Sequence, residues 1–197
     1  MRSGVLKPDL PTLIRACTVC ADRLPHPPRP VFSCHPKSRI LIIGQAPGRR
    51  VHESGIPWLD ASGRQLRLWL AVTEKEFYDQ TNFAILPMGF CYPGTGLSGD
   101  LPPRPECAPL WHPPLLAELP EIRLTLLVGR YAVNHYLAGA AGKTLTESVR
   151  RYREFLPRYF PLPHPSPRNR HWLTANPWFE KELVPELREK VHACLGA

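Results

Sequence analysis

The chain has 197 residues, 25 of them proline, and a formal net charge of +8. That length suits a single domain with its own hydrophobic core. The excess of lysine and arginine suits a polyanionic partner such as nucleic acid, or else a face kept soluble by charge. No apolar run approaches the ~20 residues of a bilayer-spanning helix, and the N-terminus reads as lacking a signal segment. Membrane and secreted classes are therefore set aside, and a cytoplasmic, monomeric protein is expected. Six cysteines in that compartment read as metal ligands or buried thiols rather than disulfides.

In chain order, residues 12–20 read as a short helix ending on the pair Cys17 and Cys20. A proline-rich loop follows. The run from Arg39 to Ile43, stopped by Gly44, reads as a buried parallel strand. Helical periodicity begins near Ser62, with Leu66, Trp69 and Leu70 on one face and Arg64 and Arg67 off it. Phe83 to Met88 is a second strand candidate, and a long Gly/Pro loop spans Cys91 to Cys107. Leu124 to Val128 is a third strand, again closed by glycine, and Tyr131 to Leu137 opens a helix. Tyr159 to Leu162 is a weaker fourth strand. Asn176, with Pro177 behind it, starts a terminal helix that runs to about Leu195 with a kink at Pro185. Strands alternating with helices imply an α/β fold, a three-layer sandwich around a four-stranded parallel sheet. In such sheets ligands sit beyond the carboxyl ends of the strands, which gathers the loops after Ile43, Met88, Val128 and Leu162 on one rim.

Two of those loops carry chemistry. In Gly44-Gln45-Ala46-Pro47-Gly48, glycines at a strand end let backbone N–H groups approach an anionic or carbonyl oxygen, though taken alone such a turn is more often only a turn. In His164-Pro165-Ser166-Pro167-Arg168-Asn169, prolines fix the backbone around a histidine that can donate a hydrogen bond to a leaving group gaining charge, unless it is simply a surface histidine.

A strand ending in Gly44-Gln45-Ala46-Pro47, followed far downstream by His164-Pro165-Ser166-Pro167, resembles the two signature motifs of the uracil-DNA glycosylase superfamily. The second motif is similar to that of the single-strand-selective monofunctional branch. The rest is closer to the iron–sulfur branch, family 4. Gly55, Pro57, Trp58 and Gly63 follow the first motif in that branch's register, and the cysteines repeat its pattern, Cys17 and Cys20, then Cys91 and Cys107 with 15 residues between.

The resemblance implies one domain over 1–197, with a cysteine-containing segment 1–37 packed on it. It implies a DNA glycosylase that flips uracil or a related deaminated base from single- or double-stranded DNA and hydrolyses its glycosidic bond. Four thiolates would close a [4Fe–4S] cluster, and zinc accepts the same four ligands. The resemblance assigns His164 to the pyrimidine O2, the Gln45–Ala46 amides to the same oxygen, and Trp58 to stacking on the base. Ser166, Arg168 and Asn169 would meet DNA, Arg168 either filling the vacated stack or contacting phosphate, with Arg49, Arg50, Arg170 and His171 as rim charges.

The chain also departs from the pattern. Ala46 stands where the best-known branch has its water-activating aspartate, Gln45 where family 4 has glutamate, and Pro87 where family 4 has an asparagine that reads the base edge. Gln45 and His52 lead the candidates for water activation, ahead of Glu53 and Asp60. A damage-binding relative with weak or no catalysis is the competing expectation.

Overall fold

A computed structural model describes residues 9–97 and 99–196; the first eight residues of the expected 1–37 segment lie outside the described part. The four expected strands form one parallel sheet: β1 (Ile40–Ile43), β2 (Phe83–Ile85), β5 (Leu124–Val128) and β6 (Tyr159–Leu162), in the order β2-β1-β5-β6. In register, Ile40 lies opposite both Phe83 and Leu124, and Leu126 lies opposite Phe160. All four residues of β1 are buried, as a strand covered on both faces must be.

Alternation along β1 feeds two cores. Ile40 and Ile42 pack with Leu66, Trp69 and Leu70 of α3 (Ala61–Leu70) and with Leu187 and Val191 of α9 (Val184–Leu195). Leu41 and Ile43 pack on the other side with Ile14, Leu115, Ala132 and Val133. These come from α1 (Leu10–Arg15), α5 (Cys107–Ala117) and α6 (Arg130–Tyr136). Helices therefore cover both faces, the three-layer α/β arrangement expected.

The N-terminal segment is part of this packing. Ile14 is fully buried, the Val31 amide donates to the Phe90 carbonyl at 2.8 Å, and Ser33 forms an antiparallel bridge with Ile85.

The structure corrects several expectations. The first helix is only Leu10–Arg15, starting on an Asp9 cap, so Cys17 and Cys20 lie in the turn after it. Arg67, expected off the apolar face, is buried with its guanidinium over the rings of Phe77 and Tyr78; the cation–π contacts and its ion pair with Glu74 make that tolerable. The loop from Cys91 to Cys107 contains a hairpin, β3 (Thr95–Gly96) with β4 (Gly99–Asp100). The residues after it form α5 despite Pro113 and Pro114. Short helices α2 (Arg49–Ser54), α4 (Glu74–Tyr78), α7 (Leu145–Arg150) and α8 (Arg170–Ala175) were not foreseen. At the C-terminus Pro185 sits in the first turn of α9, behind a π-helical turn over Phe179–Leu183, so the expected kink takes the form of a widened turn. No helix among the described residues is long and apolar enough to cross a membrane.

Candidate active site

The loops after β1, β2 and β6 close around one cavity of about 260 Å³ beyond the carboxyl ends of the strands. Gly44, Gln45, Ala46, Pro47 and Gly48 line it, with Pro87 across from them and Trp58, His164, Ser166 and Arg168 at its sides.

Trp58 is set by backbone geometry. Its φ of +57° is the left-handed region that non-glycine residues rarely occupy. Two glycines make that placement possible. A Cβ on Gly44 would lie 2.9 Å from the indole Cζ2, and a Cβ on Gly63 would lie 1.8 Å from the Trp58 carbonyl oxygen. The first turn of α3, started by the Asp60 side chain accepting from the Gly63 amide at 2.8 Å, is thus pressed against the tryptophan backbone. The indole is half-buried and tilted 30° to the His164 ring, centroids 5.6 Å apart.

His164 leaves β6 on a braced loop. The Asn169 side-chain amide donates to the His164 carbonyl at 2.7 Å, and the Asn169 backbone N–H donates to the Ser166 carbonyl at 2.9 Å. Burial pushes the His164 imidazole below the usual histidine range, while the Asp60 carboxylate pulls the other way. Burial is the larger effect, so the ring is neutral near pH 7 and has one N–H to donate.

The wall at residues 86–89 has its N–H groups committed. The amides of Leu86, Met88 and Gly89 donate to the carbonyls of Ile42, Gly44 and Gln45 at 3.0, 2.9 and 3.0 Å. Pro87 has no N–H, and its carbonyl lies 3.0 Å from Nε2 of His112, a buried residue of α5. A carbonyl can only accept, so Nε2 carries the proton, and Nδ1 accepts from the Tyr136 hydroxyl 2.5 Å away. Burial holds His112 at about 4, neutral across the physiological range, even though the Pro87 carbonyl favours its charged form. No pattern in the sequence pointed to His112 or Tyr136.

The remaining expected residues divide. Gln45 lines the cavity, but its Nε2 donates to the Leu101 carbonyl at 3.1 Å, which ties it to the hairpin. His52 does not line the cavity. It sits on α2 with its ring stacked on His26 at 5.4 Å and tilted against Tyr92 at 5.8 Å, and burial with the His26 charge lowers its pKa. Its placement removes it from the water-activating role expected of it. Arg49 and Arg50 are exposed on the first turn of α2, outside the lining. Asn169 braces His164 rather than facing the cavity. The carboxylates of Asp60 and Asp100 line it; Asp60 is among the residues expected from the sequence, and Asp100 is not.

The four patterned cysteines come together outside the cavity lining, with Cys20, Cys91 and Cys107 buried and Cys17 half-buried. Cys20 and Cys107 are within hydrogen-bonding reach of each other, and Cys91 and Cys107 each face the charges of the other thiols. Burial pushes Cys91 up to about 12 and Cys107 up to about 11, with the neighbouring thiols adding to the rise. Arg23, three residues after Cys20, pairs with Glu106, which Arg104 also approaches at 3.4 Å. Among the described residues no three or more His, Cys, Asp or Glu side chains stand at the spacing that holds one metal ion. Cys34 and Cys194 are also free thiols.

A family model described as the uracil DNA glycosylase superfamily matches residues 31–188. Among solved structures, the chain is similar to a solution structure from Methanosarcina acetivorans provisionally described as a uracil DNA glycosylase. The identity is 17%, over 81% of this chain and 97% of that one, with a TM-score of 0.44.

Proposed function

From the premise that the chain belongs to the uracil DNA glycosylase superfamily, we propose that it excises uracil or a related deaminated base from DNA. The observation that carries this reading is the pairing of Trp58 and His164, 5.6 Å apart, at the side of a cavity bordered by the Gly44–Gly48 turn. A flipped base entering there meets an aromatic face and, beside it, a neutral imidazole N–H.

Excision breaks the bond between C1′ and the base nitrogen, and the electron pair leaves with the base. His164 donates a hydrogen bond to the base oxygen that gains charge, and the Ala46 amide adds a second donor. Because both are fixed before substrate arrives, little reorganisation accompanies the reaction. Trp58 holds the base by stacking. Ser166 and Arg168, at the cavity edge, contact the flanking phosphates. The Pro87 wall offers no side-chain hydrogen bond to the base edge, which favours acceptance of more than one deaminated base.

The four thiols suit a [4Fe–4S] cluster, since four cysteine donors meet in one patch and such a cluster takes four; zinc accepts the same donors. A bound cluster would supply no chemistry to excision; it would join the Cys17–Cys20 turn to the first turn of α5.

The test is incubation with single- and double-stranded oligonucleotides containing uracil, hypoxanthine or xanthine, followed by alkali. Strand cleavage at the modified base is expected. Retained binding without cleavage would replace this reading with that of a damage-binding relative, which Ala46 already favours to a degree.

A further inference from the structure

Position 46 carries no acid, yet two carboxylates line the cavity, and they are not equivalent. Asp60 caps α3: its Oδ1 accepts from the Gly63 amide at 2.8 Å, a role that fixes the carboxylate against the helix. Asp100 arrives from β4 of the hairpin, a segment that belongs to neither motif loop.

The hairpin is held so that Asp100 stays at the cavity. Thr95 lies opposite Asp100 in register, and its hydroxyl donates to the carboxylate. The Leu101 amide donates to the Gly94 carbonyl at 2.8 Å, and the Leu101 carbonyl accepts from Gln45 at 3.1 Å. One end of the hairpin is therefore bonded directly to the turn that borders the cavity. Asp100 Oδ2 lies 3.3 Å from where a Cβ on Gly48 would stand, so the carboxylate occupies the space that this glycine leaves open. The charged groups facing it are Arg168 and Arg49, which favour its ionised form, and Asp60, which opposes it. The guanidinium of Arg168 also presses on Gly99, where an added Cβ would meet it at 2.2 Å.

We propose that Asp100 is the catalytic carboxylate that holds and deprotonates the hydrolytic water, with Gln45 as the positioning residue that ties the hairpin to the cavity. The inference rests on the glycosylase reading above. As the C1′–N bond breaks, the base takes the electron pair. Water oxygen bonds to C1′, its proton passes to the Asp100 carboxylate, and the base anion is later protonated by solvent. Burial raises Asp100 above the usual aspartate range, which strengthens it as a base, while the Arg168 guanidinium and the Thr95 hydrogen bond pull toward the ionised form.

The experiment compares Asp100→Asn and Thr95→Val with wild type in single-turnover excision across pH, with thermal melts to confirm folding. Asp100→Asn should lower the maximal rate by about 10²-fold or more, with substrate affinity retained and the acidic limb of the pH profile gone. Thr95→Val removes a hydrogen bond that stabilises the ionised form, so the acidic limb should move to higher pH with the carboxylate still present. A folded Asp100→Asn variant that keeps the wild-type rate, or that loses rate but retains the acidic limb, overturns the assignment while the glycosylase reading stands. A wild type that excises no deaminated base overturns both.

Discussion

Around the cavity, polar groups find partners inside the protein. The His164 carbonyl has Asn169, the Pro87 carbonyl has His112, and the Asp60 carboxylate has the amide of Gly63. In the thiol patch the neighbours of each cysteine include other cysteines, and their ionised forms repel one another. The first region is braced by the fold itself. The second is at ease as folded only while its thiols stay protonated, and under the proposed reading a bound cluster would take the place of those protons. Variants should therefore behave differently in the two places.

The largest effect is expected in the patch. Cys107→Ala should lose bound iron, visible absorbance and soluble yield together, as read by metal analysis of the purified protein; a stable, metal-loaded variant would separate Cys107 from any cluster. In the cavity, His164→Ala should remain folded and bind uracil-containing DNA while excision falls on the order of 10²–10³-fold, read as alkali-labile sites formed per minute. Unchanged turnover would move the donor role elsewhere.

A smaller effect tests the commitment of the cavity wall. His112 binds no proton in the fold until about pH 4, whereas in the unfolded chain it protonates near its ordinary value of 6.5. The unfolded state thus takes up the proton first as pH falls. The stability contributed by neutral His112 is full above pH 6.5 and is lost progressively down to about pH 4, by roughly 3 kcal/mol. His112→Gln should flatten that part of a denaturation-against-pH curve, and a curve of the same slope would place the proton uptake on other histidines. The smallest shift is expected at the start of α3. Gly63→Ala puts a methyl against the Trp58 carbonyl and should cost about 1–3 kcal/mol in chemical denaturation, with weaker binding of the modified base.

Much of the frame was legible. The runs at 40–43, 124–128 and 159–162 are short, apolar and bounded by turn signals, and buried parallel strands leave that trace. The two motif loops then fall on one rim by topology alone. Other features left no such trace. Helix α5 contains Pro113 and Pro114, which propensity reads as a break, and tertiary packing of Cys107, Ala108 and Leu115 overrides it. The hairpin strands are two residues each, too short for any alternation to register, so Asp100 looked like loop. His52 was favoured for its nearness in sequence to the first motif, but the helix after Gly48 turns it toward His26. His112 emerged only because it touches a carbonyl 25 residues away along the chain.

The segment between Cys91 and Cys107 also has a meaning in polymer terms. Fifteen residues separate two cysteines whose side chains lie close enough to influence each other's ionisation. The ends of this chain are already near one another, so the closure entropy has been met by the packing of its feet, Phe90 and α5, in the core. What remains free is only the short arc between them, which lets a hairpin with two-residue strands stay ordered against the turn that follows β1.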